Sequence, residues 1–283
     1  MQKDTQKNNK YHGESARLWK PENMGGFSLF KARFKRFEFK RHTHDSFAVG
    51  VIENGAQTFY HKGRECVAPQ GSMITVNPGE VHDGRSLNPE GYQYRMAYVR
   101  PDILATIFKG YGDTENGFGF LQPVTYDKHL AKRLFTALNL IDQGQGMEYQ
   151  SLFIQALSDI FVKHAGPIPG VVTRAAKDHA LIESACRFIN DHLDTQVTLV
   201  EIASAVGLSQ YHFLRVFKKT MGLPPHAYII HQRIKRAKQA MENGASILEA
   251  AHESGFSDQS HLTRNFKSYY GLTPGQFKKD LTS

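Results

Sequence analysis

The last third of the chain repeats itself, and a repeat of this length constrains the local fold more tightly than composition does. Thr198-Leu199-Val200-Glu201-Ile202-Ala203, Gly207-Leu208-Ser209, Phe213, Arg215-Val216-Phe217-Lys218 and Gly222-Leu223-Pro224 form the first copy. They return as Ser246-Ile247-Leu248-Glu249-Ala250-Ala251, Gly255-Phe256-Ser257, Leu262, Arg264-Asn265-Phe266-Lys267 and Gly271-Leu272-Thr273-Pro274. Gly207 and Gly255 are 48 residues apart, whereas Phe217 and Phe266 are 49 apart. One residue is therefore inserted in the turn of the second copy.

Each copy spells two short helices and a tight turn. Thr198 with Glu201, and Ser246 with Glu249, form capping boxes in which hydroxyl and carboxylate satisfy the free N–H groups of a helix start. Gly207 and Gly255 end that first helix, because a left-handed terminal residue carries no Cβ penalty when it is glycine. Ser209 and Ser257 are placed to cap the second helix, and Gly222 and Gly271 to stop it. This is a helix-turn-helix written twice.

The second helix of each copy has a face with no core duty. Phe213, Val216 and Phe217 recur at helical spacing and face inward, leaving Gln210, Tyr211, Leu214, Arg215 and Lys218 outside. In the second copy Leu262 and Phe266 face inward, leaving Gln259, Ser260, His261, Thr263, Arg264 and Lys267 outside. Arginine pairs bidentately with guanine, glutamine with adenine, and Thr or Leu meets a thymine methyl, so these are side chains suited to the major groove of duplex DNA.

From about Asp178 to Phe277 the chain resembles the double helix-turn-helix domain of the AraC/XylS family of bacterial transcription regulators. Pro225-His226-Ala227-Tyr228, followed by Arg233, Ala237 and Met241, is similar to the family's long connecting helix, and Gly255-Phe256 with Gly271-Leu272-Thr273-Pro274 matches its second-copy signature. Leu214 departs from the pattern, at a site where polar residues are frequent. The resemblance implies that the two outward faces read successive stretches of DNA. A formal charge of +8 suits a polyanionic partner, but it is spread over both halves and does not locate the site.

Upstream, glycines and prolines punctuate short strand-like stretches at Phe47 to Ile52, Gln57 to His61, Met73 to Val76 and Tyr92 to Val99, a spacing that predicts an antiparallel barrel or jelly roll. The basic-aromatic run Lys31 to Arg41 reads as a strand pair with its cations on the wet face. His42-Thr43-His44 and the run Gly71 to His82 resemble the two motifs of a small cupin barrel, the usual sensor of AraC-like regulators. His42 and His44 share one face of a strand, and His82 converges on them across the barrel. With Glu80 they form the expected effector site. A metal is not expected, because the metal-binding cupin pattern places a Glu where this chain has Ala48 and Val49; the nearest acid is Glu53. His44-Asp45-Ser46 is no nucleophilic relay, since Asp45 points away from both neighbours on a strand. No catalytic residue and no cofactor are expected.

Two amphipathic helices follow, carried by Leu130, Leu134, Leu138 and Ile141 and then by Leu152, Ala156, Ile160 and His164. They cover the barrel or, as the family resemblance implies, pair two copies. Gly166-Pro167-Ile168-Pro169-Gly170 cannot continue a helix. The expected organisation is a two-domain α+β chain: a disordered tail at 1–20, a cupin-like antiparallel β-barrel with two amphipathic helices for sensing and dimerisation at 21–165, a linker at 166–177, and an all-α domain with two helix-turn-helix motifs at 178–283. Two cysteines far apart argue against a disulfide framework, and no apolar run approaches the roughly 18 residues of a membrane span. The expected function is a cytoplasmic, non-enzymatic regulator that binds promoter DNA and a small-molecule effector, acts as a homodimer and meets RNA polymerase if it activates. Its rivals are a metal-dependent cupin enzyme and a ligand-independent dimeric regulator.

Overall fold

The computed structural model describes residues 13–21, 24–107, 118–143, 147–167, 176–195 and 197–281. Eight strands come first: β1 (Ser15–Trp19), β2 (Phe27–Phe34), β3 (Phe39–His42), β4 (Phe47–His61), β5 (Arg64–Pro69), β6 (Met73–Val76), β7 (His82–Ser86) and β8 (Tyr92–Val99). Then come α1 (Pro101–Ile107), β9 (Phe118–Phe120), β10 (Val124–Thr125), α2 (Lys128–Asp142), α3 (Met147–His164) and β11 (Ala165–Pro167). Seven helices follow among the described residues: α4 (Ala176–Asp191), α5 (Leu199–Ala205), α6 (Gln210–Met221), α7 (Pro225–Glu242), α8 (Ile247–Glu253), α9 (Gln259–Tyr270) and α10 (Pro274–Leu281). The result is an α+β molecule, β-rich at its N-terminal end and all-helical at its C-terminal end.

Strand β4 organises the barrel. Its first half pairs antiparallel with β8 and β6, and its second half with β5 and β7. Phe47 to Ile52 and Gln57 to His61 were expected as separate strands, but the structure makes one strand of 15 residues with a register shift between Ile52 and Asn54. A bulge absorbs the extra residue and bends the strand without ending it. Gly55, at φ +70°, is needed there: a Cβ would come within 2.2 Å of the Gly91 carbonyl oxygen.

Both faces of β8 are buried, at period two. Tyr92, Tyr94 and Met96 enter the barrel interior with Phe30, Phe34 and Phe59, while Ala97 and Val99 face a second core under α2 and α3. Leu130, Leu134 and Leu138 supply that second core from α2, so these helices cover the sheet. On α3 the inward residues are Phe153, Ala156, Leu157, Ile160 and Phe161, whereas Leu152 is 44% exposed. The expected stripe was one residue out of phase at its start. Arg95 ties α2 to the sheet, donating to Glu53, to Asp142 Oδ2 (2.8 Å) and to Asn139 Oδ1 (3.0 Å).

The tail expected through residue 20 gives way at Ser15, where β1 pairs along β2 from Ser15↔Arg33 to Trp19↔Leu29. Leu18 is its buried residue. Ala16 and Trp19 pack beside it, half-buried, against the two cores. Nor do Lys31 to Arg41 form a strand pair: β2 lies on β8, and β3 pairs with β7. Between them Glu14 accepts the N–H groups of Lys35, Arg36 and Phe37 at 2.6–2.8 Å. Of the expected linker, Gly166 and Pro167 belong to β11, paired with β9, and residues 168–175 lie outside the described residues, as do residues 1–12 of the expected tail.

The helical part has two cores. The first helix-turn-helix unit packs on α4 and the start of α7, through Ile182, Ile189, Ile202, Phe213, Phe217 and Tyr228. The second unit packs on the rest of α7, and its core runs on into the barrel's, joining Ile234, Leu262, Phe266 and Phe277 to Phe30, Phe34 and Tyr94. A Cβ on Gly271 would lie 2.6 Å from the Phe34 ring, which shows how closely the end of α9 sits on the barrel. Asp280 accepts the Leu18 N–H (3.3 Å), and Lys20 pairs with Glu242 (3.0 Å) across the same seam. Among the described residues no helix is long and apolar enough to cross a membrane.

Candidate nucleic-acid interface and effector cavity

Both capping boxes form. Glu201 N–H donates to Thr198 Oγ1 (3.3 Å) and Thr198 N–H to Glu201 (2.7 Å); Glu249 N–H donates to Ser246 Oγ (3.2 Å) and Ser246 N–H to Glu249 (2.7 Å). The backbone N–H groups of Thr198 and Ser246 hold the carboxyls of Glu201 and Glu249 below the usual carboxylate range. Gly222 and Gly271 end α6 and α9 at φ +70° and +75°. Ser209 caps α6 as expected, accepting His212 N–H (3.3 Å). Ser257 does not cap α9: Asp258 does, accepting His261 N–H (2.7 Å), while Ser257 Oγ donates to Asp258. The inserted residue pushes the cap one place along, which restores the 49-residue offset seen further on.

On α6, Phe213, Val216 and Phe217 are buried, and Gln210, Tyr211, Leu214, Arg215 and Lys218 are all exposed, Tyr211 to 79%. On α9, Leu262, Phe266 and Tyr269 are buried; Gln259, Ser260 and Arg264 are exposed, and His261, Thr263 and Lys267 half-buried. His261 lies edge-on to Phe256 and bonds Ser257 Oγ (3.2 Å), so its ring is held in place. The eleven positions thus lie on two helices, each anchored by its buried side, with their polar ends outward.

The expected effector residues divide. His42, His44 and His82 converge, with one ring nitrogen from each lying within 4.8 Å of the others. Glu80 goes elsewhere, accepting from His61 (2.8 Å), Lys62 and Asn77 Nδ2 (3.0 Å). Burial opposes its ionisation, but these hydrogen bonds outweigh burial and bring its carboxyl to about 2. Glu80 therefore braces the turn before β7. The space beside the histidines inside the barrel is only about 30 Å³, because Phe39, Phe59, Tyr94 and Met96 fill it.

A larger cavity, about 510 Å³, opens between the barrel and the helices. His44 is on its wall and on that of the inner space. Phe30, Tyr98, Tyr269 and Tyr270 give the cavity aromatic surface, and its cations are matched by acids: Lys235 with Asp45, Lys238 with Glu242, Arg100 with Asp102. Burial pushes the Tyr269 hydroxyl up to about 12 and, with the neighbouring Lys235 charge, lowers His231 to about 4. The α7 and α9 residues of this wall escaped sequence reasoning, since their roles depend on contacts across some 190 residues, as in Thr43 Oγ1 to His231 Nδ1 (3.3 Å).

Residues 25–157 match the family model for the AraC-like ligand-binding domain, and residues 202–280 that for a helix-turn-helix domain. The HTH-type transcriptional regulator YbfI of Bacillus subtilis is 30% identical over 233 residues, covering 81% of this chain and 84% of that protein. The chain belongs to the AraC family of transcription regulators. The arabinose operon regulatory protein of Escherichia coli is 25% identical over 81% of this chain and 76% of its own. Among solved structures, an apo form of ToxT from Vibrio cholerae superposes with a TM-score of 0.59 at 15% identity, over 92% of this chain and 99% of that one, a likeness of fold. As an AraC-family member the chain is a DNA-binding transcriptional regulator with an N-terminal ligand-binding domain, and the barrel and the paired helix-turn-helix units are those two parts.

Proposed function

We propose that this regulator is a one-component switch in which a small molecule, bound where the barrel meets the helices, changes how two recognition helices engage DNA. The observation that carries the proposal is the shared seam: one cavity touches both the barrel and α7 and α9, while the candidate base-reading faces of α6 and α9 are open. A ligand shifts such an equilibrium only if it binds the two arrangements with different affinity. A molecule contacting both walls meets that condition, since its contacts change when the walls move apart.

The cavity's chemistry favours an amphipathic ligand. Aromatic rings suit an apolar body, and a polar or anionic group can exchange into the ion pairs of Lys235, Lys238 or Arg100. ToxT has been solved with an unsaturated fatty acid bound, an example of that chemistry on a similar fold. In our assignment Gln210, Tyr211, Leu214, Arg215 and Lys218 address one major groove and Gln259, Ser260, His261, Thr263, Arg264 and Lys267 the next, about 34 Å along one face of the duplex. The division runs between a sensing part ending near residue 165 and a DNA-binding part beginning near residue 176. Exposed Phe135 and Leu152 on α2 and α3 offer apolar surface for homodimer pairing. The regulator works on promoter DNA in the cytoplasm, contacts RNA polymerase if it activates, and performs no catalysis.

Arg264→Ala tests the assignment. Loss of a bidentate base contact costs about 1–3 kcal/mol on the preferred site and relaxes discrimination at one base pair. In gel-shift titrations the ratio of specific to scrambled-DNA affinity should fall. An equal loss on both DNAs would make Arg264 a phosphate contact and remove it from base reading.

A further inference from the structure

We infer that His42, His44 and His82 form a three-imidazole site for a first-row divalent ion of the Zn2+ type, placed where the barrel meets the DNA-binding helices. The ring centroids are 4.8 Å apart for His42 and His44, 4.4 Å for His42 and His82, and 4.9 Å for His44 and His82. Two strands and a loop bring them together: His42 ends β3, His82 opens β7 directly opposite it in register, and His44 follows two residues after His42.

Proton positions favour a cation. His42 Nδ1 lies 2.6 Å from the Lys40 carbonyl, and His82 Nδ1 lies 2.9 Å from the Glu80 carbonyl. A carbonyl only accepts, so each Nδ1 carries the proton, and in the neutral ring Nε2 is left with its lone pair. A carbonyl behind a ligating imidazole is the usual means of fixing its tautomer and orientation. Lone pairs gathered in a buried space repel one another, and a divalent ion removes that repulsion.

The donor set suits the ion. Imidazole nitrogens favour Zn2+, Ni2+, Cu2+ and Fe2+ over the harder Mg2+ and Ca2+. A tetrahedral Zn2+ with nitrogens at about 2.0–2.1 Å sets them roughly 3.4 Å apart, so small ring rotations close the present separations. Among the described residues no carboxylate joins the set: Glu53 is held by Arg95 and Gln93, and Glu80 by His61, Lys62 and Asn77. Three neutral ligands leave a coordination position open, and His44 faces the interdomain cavity. The absence of the cupin glutamate, which led to the expectation of no metal, thus changes the site from four protein ligands to three. Position gives the ion a regulatory role. His42 contacts the Tyr269 ring of α9 at 5.9 Å, and Tyr269 stacks on His231 of α7 at 5.4 Å, so drawing the histidines together acts on the packing of the second helix-turn-helix unit.

The full-length protein, stripped with chelator and dialysed, should be titrated calorimetrically with Zn2+ and, in parallel, with Co2+ followed by its visible absorption. One equivalent is expected to bind with a micromolar or lower Kd, with Co2+ bands of a nitrogen-rich four- or five-coordinate site. His44→Gln, at the half-buried position, and His82→Gln should each weaken binding at least tenfold, whereas His231→Gln and His61→Gln should leave it within about twofold. Circular dichroism establishes that each variant is folded, and the Co2+ spectrum of the unmodified protein needs no variant. Absence of stoichiometric binding, an octahedral aquo-like Co2+ spectrum, or retention of full affinity by folded His44→Gln would each overturn the site.

Discussion

Replacing Gly271 by alanine tests how tightly the second helix-turn-helix unit is locked to the barrel. The residue caps α9 at φ +75°, where an L side chain costs about 1–2 kcal/mol. Its new Cβ would also lie 2.6 Å from Phe34 Cζ, a close approach whose relief in a packed core costs about 1–3 kcal/mol. The sum is about 2–5 kcal/mol. Gly207 provides the control: its φ is +67°, and nothing lies within 4 Å of its added Cβ, so Gly207→Ala should lose only the backbone part, about 1–2 kcal/mol. Urea unfolding followed by tryptophan fluorescence and far-UV dichroism measures both, because Trp19 lies on β1 beside the seam. The excess at Gly271 should vanish in a Phe34→Leu background, as a coupled pair requires. Equal losses for the two alanine variants, or an excess that persists undiminished once Phe34 has been replaced, would refute the claim that barrel and second unit share one core.

Two further outcomes follow from hydrogen bonds already described. Asp258→Ala should lower the thermal midpoint more than Ser257→Ala, because Asp258 accepts the N–H at the start of α9; scanning calorimetry of the two variants decides it, and the reverse order would restore Ser257 as the cap. For pH, the Glu80 carboxyl sits near 2 in the folded state against 4.5 unperturbed. A depressed carboxylate stabilises fully above its unfolded value and loses that contribution as pH falls through its folded value, so the window is pH 4.5 down to about 2. Urea midpoints measured across that window should fall less steeply in Glu80→Gln than in the unaltered protein, and parallel slopes would show that Glu80 is not a source of the acid sensitivity.

Most of the helical part was legible because its signals are local. A capping box spans four residues, a C-terminal glycine answers a single dihedral, and Phe213, Val216 and Phe217 betray a buried face within about one turn. The cap of α9 shows the limit: the inserted residue was visible, but whether Ser257 or Asp258 took the N-cap depended on the turn's path. In the barrel, Met73–Val76 and Tyr92–Val99 were legible with their observed bounds, since glycines and prolines punctuate the chain close to either end of each. Phe47 to Ile52 and Gln57 to His61 were expected as two strands and form one, because a bulge carries the chain through the polar residues between them.

The amino-acid order alone settled that the chain ends in two helix-turn-helix units with their polar faces outward, since those hydrogen bonds and periodicities close within a few residues. Only the tertiary structure decided that β1 joins the sheet, that Glu80 parts from the three histidines, and that the second unit shares the barrel's core while the first keeps its own. Those outcomes rest on strand register and on packing between residues as far apart as Phe34 and Gly271. A linear pattern does not encode which distant surfaces will bury one another most completely.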